Sequence, residues 1–478
     1  MKGHQFYLAV LLPLLVTIAH VETVPIPCFD GGKKASAIIP KEPDPATFTT
    51  QADAIMSGIY KPDQPGAALL VMKDGKIMMR KAYGMANLEL EVELEPDMIF
   101  RIGSMTKQFT AVAILVLVEQ GRIALSDPIA KFLPDYPAQG RTVTVEQLLT
   151  HTSGIPSYTS LSEWQPLMRK DMTLTELIDV FKDKPREFVP GEHWKYTNSG
   201  YVLLGAIIEK ASGLTYEAFL KENIFDPLGL KHTFYGSASR IIHGRVPGYE
   251  AGADGTFLNA EYISMTQPYA AGSLLSNVDD LAAWNQALLS GRLIKRETLE
   301  KAWTVCKLKD GTSTGYGYGW SIGESFGSRV ITHDGDINGF ASSGILFPEE
   351  KLFVALLTNS EAGELRPDPI ASRIAALALG KSSSEPKAIS IDPKIFDQYV
   401  GEYELAPGFT VRIFREGSRF MSQATGEPAF EIFPESKTRF FLKAGEGKGE
   451  FVKDETGKVI EMVLILRGRT VRAKRIMK

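Results

Sequence analysis

Ser104 and Lys107 are the first pair of residues whose types and spacing can carry chemistry. They open the apolar segment 100–120, and a helix that begins at Ser104 places the hydroxyl at its positive end, where backbone N–H groups have no helical partners. Lys107 then lies one turn along on the same face. The apolar residues that follow predict burial, and a fall of about three units in the pKa of the lysine makes it a base near neutral pH. The pair therefore indicates a nucleophilic serine beside an amine base.

Two simpler interpretations of this pair stay open. Ser104 can serve only as the helix cap, with Lys107 in solvent on the first turn. A Ser-x-x-Lys pair also arises easily by chance in a chain of 478 residues. A second pair runs from Ser384 to Lys387, where Pro386 disfavours a helical turn.

Tyr196 and Asn198 supply the second polar group. They form the only Tyr-x-Asn of the chain and precede an apolar run that predicts a helix. A tyrosine beside a lysine can relay protons, and an asparagine amide can donate to a substrate carbonyl. The alternative is an aromatic lid followed by an asparagine cap.

The third group, from His333 to Asp336, follows a predicted strand. A strand edge beside the nucleophile can offer backbone groups to an extended substrate, with the Asp336 N–H as second oxyanion donor. His333 would supply a proton or a polar contact, although a single histidine is more often structural. The predicted catalytic residues are Ser104, Lys107, Tyr196 and His333, and the predicted substrate and oxyanion residues are Asn198, Gly335 and Asp336.

A sheet and a helical middle must position these residues. Asp74 and Gly75 separate two extended runs, which is the strongest short signal for a hairpin. The pattern is helical from Phe100 to about Leu228, and a closing helix is predicted at 366–379. Strands at both ends of a helical middle predict an α+β fold with one antiparallel sheet and a helical subdomain. The predicted strands are 67–73, 76–83, 316–322, 329–332, 340–347 and 352–358.

The N-terminus is typical of an exported protein. Lys2 precedes the apolar run from Phe6 to Ala19, which is shorter than the roughly 20 residues of a spanning helix. We therefore expect a periplasmic or extracellular location, with an uncleaved anchor as the alternative. The predicted segments are a signal peptide at 1–19, a leader at 20–45, a main domain at 46–380, a linker at 381–390 and a small barrel-like all-β domain at 391–478.

Composition limits the partners. The chain has 53 Lys and Arg against 57 Asp and Glu, a net charge of −4. This near-balance gives no excess of basic residues of the kind that binds nucleic acid. Cys28 and Cys306 can pair in an oxidising compartment, but the cysteines and the seven histidines match no metal-site spacing. We expect a small-molecule or peptide substrate, no metal and no cofactor, while oligomerisation stays open.

Taken in order, Ser104-x-x-Lys107, Tyr196-x-Asn198 and His333-x-Gly335 resemble the motifs of the penicillin-binding and serine beta-lactamase-like family. The class C beta-lactamase-like branch, with its esterases, D-aminopeptidases and DD-peptidases, is the most similar. The resemblance implies a beta-lactamase/transpeptidase-like fold and an acyl-enzyme on the serine, with the lysine, the tyrosine or both as base. Further stretches that resemble this branch are 147–155, 227–230, 271–281 and 316–320, within a similarity that spans about 45–379.

One departure concerns the substrate. Beta-lactamases typically have Lys-Thr-Gly or a close relative where this chain has His333-Asp-Gly335. A fixed cation there suits a substrate carboxylate, whereas histidine is mostly neutral at pH 7. The departure shifts weight from beta-lactams toward esters and D-amino-acid peptides. Lys309-Asp-Gly311 is a rival third motif, but it precedes the 316–320 stretch, and the family places its motif after such a strand.

Other functions compete with this interpretation. An α/β-hydrolase would need a nucleophile elbow at Ser313 or Ser325, yet strand-like residues follow both. Beta-lactamase or DD-peptidase activity proper is a second alternative. A catalytically weak scaffold of the same fold is a third, although all three motifs are present.

Overall fold

The computed structural model of this chain describes residues 44–381, 388–406, 409–425, 429–442, 447–466 and 469–476. The predicted signal peptide, nearly all of the predicted leader and Cys28 lie outside the described residues. Pairing of Cys28 with Cys306 therefore stays a prediction. The described chain divides into two compact units, the first at 44–322 and 328–380 and the second at 323–327 and after 380.

A six-stranded sheet forms the centre of the first unit, in the order β10-β11-β12-β13-β1-β2, and the neighbours from β11 to β2 pair antiparallel. The strands of this unit are β1 (Ala67–Lys73), β2 (Lys76–Tyr83), β3 (Met85–Asn87), β4 (Val92–Glu93), β5 (Phe100–Arg101), β6 (Phe234–Tyr235), β7 (Tyr249–Ala251), β8 (Phe257–Asn259), β9 (Leu274–Ser276), β10 (Ser321–Ser325), β11 (Ser328–Ile337), β12 (Phe340–Phe347) and β13 (Leu352–Thr358).

Local chemistry explains the hairpin that begins this sheet. Asp74 and Gly75 have φ of +50° and +74°, as a two-residue hairpin turn requires. The register then places Ala67 opposite Tyr83 on one side and opposite Thr358 on the other. The prediction that strands from before and after the helical segment form one antiparallel sheet is confirmed.

Helices pack around the sheet, and α2 lies at their centre. Eleven of its 14 residues are buried, because a helix that is apolar all round belongs in a core. No helix in the described ranges is long and apolar enough to cross a bilayer. The helices of the first unit are α1 (Pro45–Ile59), α2 (Thr106–Glu119), α3 (Ile129–Phe132), α4 (Val145–Leu149), α5 (Leu174–Asp179), α6 (Asn198–Ser212), α7 (Tyr216–Leu220), α8 (Asp226–Leu228), α9 (Tyr269–Gly272), α10 (Val278–Leu289), α11 (Arg296–Ala302) and α12 (Pro367–Ala378).

Two elements differ from the sequence prediction. The stretch 316–322 is mostly a turn, and β10 begins only at Ser321. Gly319 has φ of +83°, and such a conformation interrupts an extended strand. Helix α1 was not predicted, although Asp44 caps it and Pro45 opens it, which is a known signal for a helix start.

After residue 380 the described residues are all-β apart from one short helix, and the predicted all-β C-terminal domain is confirmed. Its nine strands form one sheet that curls into a nearly closed barrel. Phe396 is fully buried there and stacks on Phe420, with ring centres 4.0 Å apart. The described elements are α13 (Pro393–Asp397), β14 (Gly401–Ala406), β15 (Phe409–Glu416), β16 (Arg419–Ala424), β17 (Phe430–Glu431), β18 (Phe433–Pro434), β19 (Arg439–Phe441), β20 (Gly447–Lys453), β21 (Val459–Leu466) and β22 (Arg469–Arg475).

Candidate active site

Ser104 lies in a 3-10 turn, Gly103–Met105, that leads directly into α2. Ser104 is partly exposed, whereas the residues on both sides of it are buried. Gly103 has φ of +48°, and a Cβ there would lie 2.9 Å from the backbone nitrogen of Asp336. Glycine permits this conformation and this close approach. The turn therefore holds the serine against the backbone of β11.

Lys107 lies in the first turn of α2. Its Nζ is 3.0 Å from Ser104 Oγ, 2.9 Å from Asn198 Oδ1 and 2.7 Å from the Ala271 carbonyl oxygen. The lysine is fully buried, and none of these three neighbours is an acid. Desolvation therefore lowers the pKa of Lys107 well below its ordinary value of 10.5.

The neighbours of this amine orient it toward the serine. Asn198 Nδ2 donates to Thr159 Oγ1 at 3.1 Å and its backbone N–H donates to Ser157 Oγ at 3.1 Å, so Oδ1 faces the lysine. Oδ1 and the Ala271 carbonyl are pure acceptors and take the two N–H bonds of a neutral amine. Loss of one proton from Nζ leaves a lone pair for the Ser104 hydroxyl, whose oxygen lies 3.0 Å away. This arrangement suits transfer of the hydroxyl proton to Nζ.

Tyr196 lies two residues before α6, and the centre of its ring is 4.8 Å from Lys107 Nζ. Desolvation raises the pKa of the phenol above its ordinary value of 10, and the hydrogen bond with the Ser104 side chain offsets only part of the rise. The phenol is therefore neutral at pH 7 and can donate a proton. The opposite pKa shifts of the lysine and the tyrosine favour the amine as the base.

His333 is buried in β11, and both its ring nitrogens are bonded inside the protein. Nδ1–H donates to the Asp334 carbonyl at 2.6 Å, so Nε2 accepts the Tyr316 hydroxyl at 3.0 Å. Burial, with a further effect of nearby Lys107, lowers the pKa of His333 to about 3. The ring is therefore neutral and engaged. Its predicted part in proton transfer stays a prediction, and the geometry favours polar packing beside the site.

Gly335 and Asp336 bring β11 against the turn that carries the nucleophile. A Cβ on Gly335 would lie 2.0 Å from the Ile102 carbonyl oxygen and 2.5 Å from Ser342 Oγ. The exposed Asp336 carboxylate accepts two hydrogen bonds from the Arg366 guanidinium, at 2.8 and 3.2 Å. The Asp336 backbone nitrogen borders the 3-10 turn, where an oxyanion donor is needed.

Comparison with known proteins identifies the family. The family model described as Beta-lactamase matches residues 51–378, and one described as a domain of unknown function (DUF3471) matches residues 385–472. Penicillin-binding protein 4* of Bacillus subtilis is 31% identical over 82% of this chain and 91% of its own length. The chain belongs to the beta-lactamase family.

Two solved structures confirm the fold of this beta-lactamase-family chain. The octameric penicillin-binding protein homologue from Pyrococcus abyssi is 29% identical, with a TM-score of 0.63 over 90% of this chain and 100% of that one. The D-stereospecific amidohydrolase from Streptomyces sp. is 29% identical, with a TM-score of 0.57 over 67% and 95%. The predicted beta-lactamase/transpeptidase-like fold is confirmed, and the family is one of serine hydrolases.

The rival motifs lack the context that they need in this beta-lactamase-family chain. Lys309 extends to Glu192, with 3.6 Å between Nζ and Oε1. Ser325 ends β10 and leads into β11, while Ser313 forms an isolated bridge with Lys307. A nucleophile elbow requires a helix after the serine. The pair at 384–387 lies outside the described residues.

Several site groups had no assigned role at the level of sequence. The Ala271 carbonyl and the Tyr316 hydroxyl both belong to stretches that resemble the family, but a backbone carbonyl leaves no signal in residue type. Ser157 and Thr159, which anchor Asn198, also had no signal. Within the described ranges, no three His, Cys, Asp or Glu side chains are grouped so that they could bind a metal ion.

Proposed function

We propose that this chain is a serine hydrolase that cleaves esters, amides or D-amino-acid peptides through an acyl-enzyme on Ser104. The observation that carries this proposal is the buried Lys107 amine. Its Nζ lies 3.0 Å from Ser104 Oγ, and pure acceptors on Asn198 and Ala271 hold its N–H groups. Desolvation lowers the pKa of this amine, so the nucleophile lies in contact with a group suited to act as its base.

In the proposed acylation, Ser104 Oγ transfers its proton to Lys107 Nζ and bonds to the substrate carbonyl carbon. The carbonyl electron pair moves to oxygen, where the N–H groups of Ser104 and Asp336 stabilise it. The carbon–leaving-group bond then breaks, and the leaving group takes the proton through Lys107 or the neutral Tyr196 phenol. Water reverses these roles in deacylation and releases the acid.

We further propose that the enzyme prefers substrates whose binding needs no carboxylate contact at the third motif. His333 is neutral there, with its pKa lowered to about 3. The nearby guanidinium of Arg366 is bound to Asp336 and Asp368. A D-stereospecific amidohydrolase, 29% identical, and a D-amino acid amidase from Ochrobactrum anthropi, 25% identical, support amides of D-amino acids as one substrate class.

A hydrolysis panel tests the proposal with p-nitrophenyl esters, D-amino-acid p-nitroanilides and nitrocefin. We expect turnover of an ester or a D-anilide that disappears in Ser104→Ala, with nitrocefin hydrolysed more slowly. Turnover that survives in Ser104→Ala but not in Ser313→Ala or Ser325→Ala would move the nucleophile to one of those serines.

Penicillin binding is the second candidate function, because a relative named penicillin-binding protein 4* is 31% identical. A fluorescent penicillin that labels Ser104 faster than the panel substrates turn over would favour this candidate. If neither penicillin nor a fluorophosphonate labels Ser104, the chain is instead a scaffold of the same fold.

We also propose that the protein is exported, on the basis of Lys2 and the apolar run Phe6–Ala19. Secretion of a C-terminally tagged chain, followed by N-terminal sequencing, tests this. Cleavage near residue 19 is expected, and a full-length cytoplasmic product would contradict it.

We propose in addition that the chain oligomerises, since the Pyrococcus abyssi homologue is octameric. Light scattering on the purified protein measures the assembly. A monomer at every concentration would refute this part of the proposal.

A further inference from the structure

His151 is a fully buried titratable residue that the proposed mechanism does not use. It lies two residues after α4 and has φ of +58°, in a left-handed region that residues other than glycine seldom adopt. Backbone strain of this kind is kept only where the surrounding structure imposes it, and it clusters near functional sites. The contacts of His151 show what its conformation achieves.

His151 binds the main chain on both sides of Tyr196. Its carbonyl oxygen accepts the Lys195 N–H at 3.0 Å, and its ring Nδ1 accepts the Thr197 N–H at 3.1 Å. Its ring also lies beside the Tyr196 ring, with centres 4.3 Å apart. These contacts fix the tyrosine whose ring covers Lys107 Nζ.

The protonation state of His151 follows from these bonds. Because Nδ1 accepts a hydrogen bond, the proton of the neutral ring is on Nε2, which has no hydrogen-bond partner within the described part of the chain. Burial lowers the pKa of His151 well below 6.5, and nearby Lys107 and His333 add to this effect. The other rings that face it belong to Trp194, Tyr201 and Tyr316. A buried donor without a partner reduces stability, so stability alone does not explain a histidine here.

We propose that His151 is a positioning residue, whose Nδ1 holds the Thr197 N–H and so keeps the Tyr196 phenol beside Ser104 and Lys107. This inference rests on the proposed function, because it assigns Tyr196 to the proton relay. His151 itself touches neither reacting atom. Its effect on catalysis passes through the backbone on either side of the tyrosine.

Two nearly isosteric substitutions in the full-length protein test the inference. His151→Asn retains an acceptor for the Thr197 N–H and tolerates positive φ, whereas His151→Leu offers no acceptor. With 4-nitrophenyl acetate, we expect kcat of the leucine variant to fall about 10- to 100-fold with KM nearly unchanged. The asparagine variant should keep most of the wild-type kcat.

The pH profile separates positioning from mere folding. A displaced Tyr196 admits water to Lys107 and raises its pKa, so the acid limb of kcat/KM should move to higher pH in the leucine variant only. A lower kcat with an unmoved limb would overturn the inference, because a smaller folded fraction gives that result. If His151→Leu does not fold, His151→Ala takes its place in the same comparison.

Equal losses in the asparagine and acceptor-free variants, or no loss in either, would also overturn the inference. Failure of the proposed function has a different signature. In that case wild-type protein takes no fluorophosphonate label at Ser104. If only the inference fails, the wild-type protein is still labelled, and the asparagine and leucine variants are labelled at the same rate as each other.

Discussion

Among single residues, Lys107 determines what Ser104 can do. A lysine without an acidic neighbour at a fully buried position would be a fault in most cores, since burial penalises its charged form. Here the same burial lowers its pKa, and Nζ lies 3.0 Å from the serine oxygen, within reach of the hydroxyl proton. Two predictions at this scale examine that state directly.

Replacing Lys107 with methionine should lower kcat about 10²- to 10⁴-fold, because the base is lost. It should also change how stability depends on pH. The pKa of Lys107 is lowered by folding from 10.5. Between the lowered value and 10.5 the unfolded chain holds more protons, so this lysine makes the free energy of unfolding rise with pH.

The difference in unfolding free energy, wild type minus Lys107→Met, should therefore rise across that window and level off above pH 10.5. Denaturant titrations at a series of pH values measure it. Titrating groups that do not interact with Lys107 cancel in the difference. A difference that does not vary with pH would contradict the lowered pKa.

Replacing Asn198 with aspartate should make the enzyme active only at higher pH. A carboxylate at the position of Oδ1, 2.9 Å from Lys107 Nζ, favours the ammonium form and raises its pKa by about 1–3 units. The acid limb of kcat/KM should move up by a similar amount. The uncharged, isosteric Asn198→Leu is the control, and it should lose activity without recovery at alkaline pH.

Among elements, the contact between β11 and the 3-10 turn before α2 builds the site. It brings the Asp336 backbone nitrogen against Gly103, and it requires glycine at residue 335. The strand supplies the proposed oxyanion donor and the turn supplies the nucleophile. Their separation is therefore expected to affect catalysis and stability together.

Gly335→Ala tests this contact. Its Cβ would lie 2.0 Å from the Ile102 carbonyl oxygen, so the strand or the turn must move, at a cost of about 1–3 kcal/mol of stability. The thermal unfolding temperature and kcat should both fall. Gly58→Ala in α1, where a Cβ meets nothing within 4 Å, should retain both. An unchanged kcat in Gly335→Ala would show that the contact is not needed.

In the whole molecule, each compact unit has a hydrophobic core of its own residues. Phe396→Ala removes a fully buried ring from the second core and should cost about 3–5 kcal/mol there. Calorimetry should show an unfolding transition at a lower temperature than in the wild type. Fluorophosphonate labelling of Ser104 at 25 °C should stay at the wild-type rate.

The control for this prediction is Phe430→Ala in the same unit, because Phe430 is 44% exposed. Its effect on stability should stay within about 0.5 kcal/mol. A loss of Ser104 labelling in Phe396→Ala would show that the second unit is required for the site.

Elements with local signals were predictable from sequence. The hairpin at Asp74-Gly75 and the strands Phe340–Phe347 and Leu352–Thr358 have the predicted bounds, because turn chemistry and continuous apolar runs act over a few residues. The stretch 316–322 was wrong as a strand, since its aromatic residues suggested β structure while its glycines allow the turn. The C-terminal all-β unit followed from alternation and turn residues alone.

The sequence by itself determined that Ser104 and Lys107 share one face, because helical spacing is local geometry. Only the tertiary structure decided the state of that lysine, since its other partners, Asn198 and Ala271, lie 91 and 164 residues away along the chain. The same holds for His151, whose bonds reach across to the segment of Tyr196. Burial, pKa and hydrogen-bond partners depend on which distant segments meet, and residue type does not encode those meetings locally.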